Sequence, residues 1–405
     1  MKHRAHRPLL IVLAWFVGLL SLATAIGAQE LPRPDPKLRP DSPLMLDLAG
    51  TGTDPTRIDF ANLPVLDGEH GVVSAADAQW QFRLHNYLAH HDGKFWCFWS
   101  HGPVIEDRAR QHLQYATSDD GIHWSTPQVL AGPPHDGFGY IARGLWVREG
   151  ELLALVSLFE APAYNDGALE LVAFRWDGAK STWQPAGRVF DNALNNFAPK
   201  KLPTGEWMMS RRASDRSVSL LIGGVAGIDQ WQVVPFSNYR LPGGAAPEEP
   251  YWWVLPDGAI VGLFRDNSKS GRLLRSFSVD NGRSWTAPVR TNFPDATSKF
   301  NTVATSRGYW AMASNPNPKG RNPLCLSISP DGLVFTHMFR LPIPERLEGV
   351  EWVNNSRHGT TRYESLQYPH VIEHDGALFV AYSRKKQTVE VVRLTLETID
   401  KALAK

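Results

Sequence analysis

Through most of the chain, short apolar runs alternate with Gly, Asp, Asn and Pro, and segments with a helical period are scarce before the C-terminus. Leu84 to Trp99 (LHNYLAHHDGKFWCFW), Gly144 to Phe159, Ala198 to Arg212, Trp252 to Phe264 and Tyr368 to Ser383 each read as strand, short glycine-containing turn, strand. The pattern predicts an all-β chain built of hairpins. Only the closing stretch, Leu394 to Lys405, mixes apolar and charged residues in the manner of a short terminal helix.

Internal repeats make this picture more specific. SDDGIHW (Ser118 to Trp124) and VDNGRSW (Val279 to Trp285) share one template, SPDGLVF (Ser329 to Phe335) fits it with Phe in place of Trp, and RWDGAKSTW (Arg175 to Trp183) is a degenerate copy. The Asp of the template can accept turn N–H groups, the Gly supplies positive φ, and the aromatic packs back over the hairpin. These repeats resemble the Asp-boxes of the sialidase superfamily, S-x-D-x-G-x-T-W, which mark blade hairpins in six-bladed β-propellers. The resemblance spans about residues 75–395 and implies one radial domain, a six-bladed β-propeller of four-stranded blades with Asp-box hairpins. Asp-boxes speak to fold alone, so function has to come from residues between them.

Composition adds bounds. At 405 residues and 43% hydrophobic content the chain can bury a large core, and a net charge of +1 predicts no nucleic-acid partner. Lys2, His3, Arg4 and Arg7 precede an apolar run from Leu9 to Ile26, with small residues at Ala23, Ala25 and Ala28. This is the order of a signal peptide over 1–28, or of an anchor helix if the segment is retained, and only the latter implies membrane contact. The folded part is therefore expected to be secreted or periplasmic, and monomeric. Residues 29–43, including LPRPDPKLRPDSP, suit an extended linker, and the propeller is expected over 44–405. Cys97 and Cys325 lie in apolar strand-like runs as small hydrophobes, able to bond only if they met in space.

The family resemblance extends to a site. In sialidases three arginines clamp the substrate carboxylate, the first in an R-I-P strand of the first blade. QFRLHNYLAHHDGKFWCF resembles that strand and places Arg83 at the arginine, with Leu-His in place of Ile-Pro. The acid/base aspartate of the family lies on the loop before the first Asp-box, which puts Asp107 in that role, with the adjacent Glu106 as the alternative acid. EPYWWVLPDGAIVGLFR resembles the family's glutamate, strand, D-G turn, strand and second arginine, giving Glu249 and Arg265, with Glu248 as the competing carboxylate. Arg321 in SNPNPKGRNPLCLSISPDG stands at the third arginine. TRYESLQYPHVIEHDGALFVAYSR supplies Tyr363 at the nucleophile, with Tyr368 as the alternative. A neutral tyrosine needs a carboxylate base, the role implied for Glu249. One departure stands out: where the family has a terminal glutamate that supports the first arginine, this chain has Tyr382-Ser383, and Glu373 falls across the hairpin.

Histidines cluster at His85, His90, His91 and His101 and at His358, His370 and His374. Their spacing is not that of a metal site, and His85 and His370 are the two expected to reach a pocket as substrate-binding residues; no cofactor is implied. Trp252, Trp253, Trp310 and Trp352 suit either core packing or sugar stacking. The resemblance implies a retaining glycosidase acting on a terminal carboxylated sugar, sialic acid or a related acidic sugar, of a glycan. A pocket of Tyr, His and arginines is also compatible with a uronate-directed lyase or hydrolase, and the fold with a noncatalytic glycan-binding propeller.

Overall fold

The computed structural model describes residues 41–76, 79–162, 167–237, 244–350, 352 and 365–405. Six four-stranded antiparallel sheets follow one another as the blades of a propeller, as the repeats predicted. Blades 1 to 5 each take four consecutive strands, over residues 82–131, 138–191, 200–237, 247–294 and 301–340. Blade 6 combines three strands between Leu366 and Thr395 with the N-terminal strand Glu69–Ser74, which pairs antiparallel with Thr388–Thr395 and closes the ring. The first strand of each blade lies innermost, and several of these first strands touch one another.

Aromatic side chains fill the wedges between blades. Trp96 of blade 1 packs on Trp176 and Trp183 of blade 2, with ring centroids 4.8 and 5.9 Å apart. Trp252, Trp253 and Trp310 are buried and belong to this core, whereas Trp352 is half-buried beneath the Lys385 ammonium at 4.6 Å. Cys97 and Cys325 are both buried and unbonded, in blades 1 and 5.

The three Asp-boxes use one local hydrogen-bond scheme. Ser118 Oγ accepts the Gly121 N–H at 2.8 Å and donates to Asp120, which accepts the N–H groups of Ile122 and His123. Ser278 with Asp280, and Ser329 with Asp331, repeat it. In blade 4 the box tryptophan explains a strand glycine: a Cβ on Gly262 would fall 2.6 Å from the ring of Trp285. The degenerate copy is a plain hairpin in which Asp177 accepts from the Lys180 N–H.

Boxes and degenerate copy all join third to fourth strands, and so lie at one end of the propeller. Loops joining second to third strands lie at the opposite end. Asp107, Arg321 and Lys386 sit on three of those loops, and Arg265 stands where one of them begins. The site is therefore built at the end away from the boxes.

Outside the ring, Arg275 donates to the carbonyls of Ser42 and Leu44, and the Asn292 amide holds Met45 and Leu46, so the chain is already docked at the predicted linker boundary. The predicted leader lies outside the described residues. At the other terminus the expected helix forms over Leu396–Leu403, capped by Thr395 and buried through Leu396 and Ile399. Among the described residues no helix is long and apolar enough to cross a membrane.

Candidate active site

A strand buries alternate side chains, so aiming a chosen residue along the propeller axis requires a break in the alternation. The innermost strands supply it. Register slips in blade 1 between Leu84 and Tyr87, in blade 2 between Ala142 and Gly144, in blade 4 between Glu248 and Tyr251, and in blade 6 between Gln367 and His370. Within three of these bulges a non-glycine residue takes left-handed backbone: His85 at φ 56°, Glu249 at φ 52° and Tyr368 at φ 55°. Each such conformation costs roughly 1 kcal/mol or more, and such strain clusters where function needs a fixed side chain.

Asp107 and Glu106 lie on the loop between the second and third strands of blade 1. Lys386, from the last blade, donates to Glu106 Oε2, and Nε2 of His85 lies 3.2 Å from Oε1. Ser100 Oγ accepts the Ala142 N–H at 2.9 Å, so its own proton is available to His85 Nδ1 at 3.2 Å, which leaves the imidazole proton on Nε2 facing Glu106. Burial holds His85 down at about 4, hence neutral. Burial works against the charge of Glu106 as well, but Lys386 and His85 outweigh it and keep this carboxyl well below the usual range. For Asp107, burial and then the negative Glu106 win over Arg143 and Lys386, and the carboxyl is pushed up to about 7. Its Oδ1 is buried with no hydrogen-bond partner. Asp107 can therefore hold or release a proton near neutrality, with an oxygen left for a ligand.

Across the axis, Arg265 is the hub. Its Nη1 is 3.0 Å from Glu249 Oε2, its Nη2 is 3.5 Å from Glu248, and the Tyr368 hydroxyl lies close enough to act on its charge. Arg212 completes the cluster at 3.3 Å from Glu248. Burial would raise the Glu249 carboxyl, but Arg265, Lys299, Arg212 and Arg321 hold it below its ordinary value. The Glu249–Arg265 contact is an ion pair without hydrogen-bond alignment, so Oε2 keeps acceptor capacity. Arg321 bonds Gln367 Oε1 at 2.6 Å and the Thr297 carbonyl at 2.9 Å, and its guanidinium carbon is 5.4 Å from the Tyr368 ring centroid. Nearby, burial pushes Asp295 up to about 7 against the fields of Arg265 and Arg321.

Lys299 forms the floor. Its ammonium donates to Tyr87 Oη at 2.8 Å and to the Asn196 carbonyl at 3.2 Å, and it stands 5.2 Å from the ring centroids of Tyr87, Phe197 and Tyr368. Burial lowers it to about 7. Arg265, Arg321 and Lys299 thus all reach Tyr368, whose ring also lies 5.5 Å from His85.

Of the residues expected from sequence, Asp107, Glu249, Arg265, Arg321 and His85 come together in this one axial cluster. Tyr363, like His358, lies outside the described residues, and Tyr368 is the tyrosine found among the arginines. His370 sits one layer deeper: its Nδ1 accepts the Leu88 N–H at 3.1 Å, tying blade 6 to blade 1. Arg83 is buried in the seam between blades 1 and 6, donating to Ser74 Oγ and the Trp80 carbonyl, while Ser383 Oγ bonds its backbone carbonyl. Glu373 accepts from the Ser306 N–H of blade 5. The blade 2 guanidinium that does act on Asp107, His85 and Lys299 is Arg143. Sequence reading passed over Arg143, Lys299 and Lys386. A signal for one of them, Lys299, existed: a polar pair followed by a ring recurs in or just before the first strands of blades 1, 3 and 5, as His85-Asn86-Tyr87, Asn195-Asn196-Phe197 and Ser298-Lys299-Phe300.

Comparison with known proteins agrees with this architecture. A family profile described as BNR repeat-like domain matches residues 65–380. No curated protein matches. Among solved structures, a protein of unknown function from Dyadobacter fermentans is similar at 15% identity and TM-score 0.62, covering 82% of this chain and 99% of its own. A Trypanosoma rangeli sialidase in complex with sialic acid is similar at 15% identity and TM-score 0.58, covering 82% of this chain and 60% of its own. An intramolecular trans-sialidase from Ruminococcus gnavus in complex with oseltamivir carboxylate follows at 11% identity and TM-score 0.60, covering 81% of this chain and 98% of its own. At these identities the likeness is one of fold.

Proposed function

The chain belongs to the BNR repeat-like domain family, and on that premise we propose that it is a sialidase-like glycoside hydrolase acting on a terminal carboxylated sugar, sialic acid or a close relative, of a glycan. The observation that carries this reading is the Asp107 carboxyl, with a buried unpartnered oxygen, sharing one axial site with a tyrosine flanked by Arg265 and Arg321. Arg265 and Arg321, joined by Arg143 from blade 2, bind the sugar carboxylate; guanidinium stays charged and offers paired donors. Asp107 protonates the departing glycosidic oxygen. Tyr368 attacks the anomeric carbon and Glu249 receives its proton, giving a glycosyl-tyrosine that water hydrolyses with Asp107 now acting as base, so configuration is retained. A neutral nucleophile suits a substrate whose own carboxylate would repel an anionic one.

The signal-like N-terminus supports action outside the cytoplasm, as a secreted or periplasmic monomer. Both nitrogens of His85 are engaged, by Ser100 and Glu106, which disfavours that imidazole as the base of a uronate lyase. The test is incubation with a fluorogenic sialoside, and in parallel with uronate polymers while following ultraviolet absorbance. Fluorophore release lost in Asp107→Asn supports the hydrolase. Growth of absorbance without release supports a lyase, and inactivity in both with retained glycan binding supports a noncatalytic propeller.

A further inference from the structure

We propose that Glu106 is a positioning residue of this site: fixed as an anion by Lys386 and His85, it keeps the proton on Asp107, the neighbouring carboxyl that faces the ligand. The inference rests on the reading of Asp107 as the acid and asks why, of two adjacent carboxyls, that one serves. Both Glu106 oxygens are occupied, one by the Lys386 ammonium and the other by His85 Nε2 at 3.2 Å, whereas Asp107 Oδ1 is buried without a partner. A carboxylate receiving two donors is held ionised; a carboxyl beside it, buried and unpartnered, is not.

The backbone is shaped to deliver this contact. Lys385 and Lys386 occupy the hairpin turn of the last blade with φ 54° and 56°, a pair of left-handed conformations for which Asn-Gly is the favoured sequence. That strain is accepted at the place where Lys386 reaches across the ring seam to blade 1. On its other side the Asp107 loop is tied to blade 2. The Asp107 N–H donates to Gln111 Oε1 at 3.1 Å, Gln111 Nε2 donates to the Tyr140 carbonyl at 2.7 Å, and the Arg110 N–H donates to the Phe138 carbonyl at 2.9 Å. Asp107 is therefore strapped between blades 6 and 2, with left-handed backbone of its own at φ 60°.

The charged groups facing Asp107 are Glu106 and Arg108 from its own loop, Arg143 from blade 2 and Lys386 from blade 6; those facing Glu106 are His85 and Lys386. Glu106 is the anion among three cations around Asp107. Neutralising it leaves only charges that draw the proton off.

The test is a carboxyl-carbon NMR titration of the full chain labelled at Asp and Glu, in wild type, Glu106→Gln and Asp107→Asn. Two wild-type aspartates should titrate near 7, Asp107 and Asp295, and Asp107→Asn identifies the first by its loss. In Glu106→Gln the Asp107 midpoint should fall by about one pH unit or more, a roughly fivefold or greater loss of protonated acid at neutral pH, while Asp295 stays in place and reports an intact fold. An Asp107 midpoint unmoved beside an unmoved Asp295 overturns the proposal, as does a glutamate titrating near 7. Should Glu106→Gln disturb Asp295, Lys386→Met is the second variant: the Glu106 midpoint should rise, and an unchanged one overturns the proposal. Because the readout needs no substrate, failure to cleave any glycoside would count against the functional reading and leave this result standing.

Discussion

Glu249 and Arg265 stand on the two strands of a single blade 4 hairpin, sixteen positions apart in sequence, and their charged groups meet at 3.0 Å. The strand between them buries Trp252 and Trp253, the return strand buries Val261 and Leu263, and the bulge at Glu249 turns its carboxylate toward the arginine. In the proposed reaction one hairpin would therefore supply both the base and an anion-binding group, already oriented by each other.

Arg265→Met should remove both functions. Glu248 and Glu249 would lose their shared cation in a largely buried setting, and thermal unfolding should show a loss of about 2 kcal/mol or more. Arg265→Lys should restore part of the stability without restoring glycoside turnover, because one ammonium cannot reach Glu248, Glu249 and Tyr368 together.

Asp107→Asn should uncouple stability from activity. A carboxyl whose folded-state value lies near 7, above its ordinary 3.8, stabilises the fold below pH 4 and loses that contribution as pH rises through 7. The variant should match wild type near pH 4, exceed it at pH 8 by up to about 4 kcal/mol, and be inactive. Denaturant melts at the two pH values check the sign; equal stability at pH 8 would contradict it.

Glu390 should dominate the opposite, acidic limb. Fully buried, it would be raised by burial, yet His70 at 2.9 Å, the Arg384 guanidinium at 2.8 Å and Thr388 at 2.6 Å bring it down to about 2. Depressed below its ordinary value, it contributes stability above about pH 4.5 that is lost as pH falls toward 2, about 3 kcal/mol in all. Glu390→Gln should flatten the melting temperature against pH over that window while lowering it at neutrality.

The parts of this architecture that are local in sequence were legible there. Asp120, Asp280 and Asp331 each bond to residues two to four positions away, so their boxes, and through them the fold, could be recognised one hairpin at a time. That Glu249 and Arg265 would meet across one hairpin was readable for the same reason. Lys299, Lys386 and Arg143 were not, since they meet the site only when blades 5, 6 and 2 close around the axis. Arg83 illustrates the converse: a position in a strand does not reveal which seam a side chain enters, and here it bonds Ser74 and Trp80. The closing strand Glu69–Ser74 pairs more than three hundred residues away, beyond any local pattern.

Because boxes and site lie at opposite ends, Asp331→Ala should separate them. Losing the acceptor for the Leu333 and Val334 N–H groups should cost about 1–2 kcal/mol of stability and leave the KM for any glycoside substrate unchanged. A changed KM at unchanged stability would place the box in the site.

The proposed reaction turns on Tyr368 as the nucleophile of an axial carboxylate-binding site. Its most direct measurement is peptide mass mapping after reaction with an activated 3-fluoro-sialosyl fluoride, which forms the glycosyl-tyrosine and slows its hydrolysis. One adduct per chain is expected, on Tyr368, reduced or absent in Arg265→Met. An adduct on Tyr363, or none in a preparation that cleaves the fluorogenic sialoside, would contradict it.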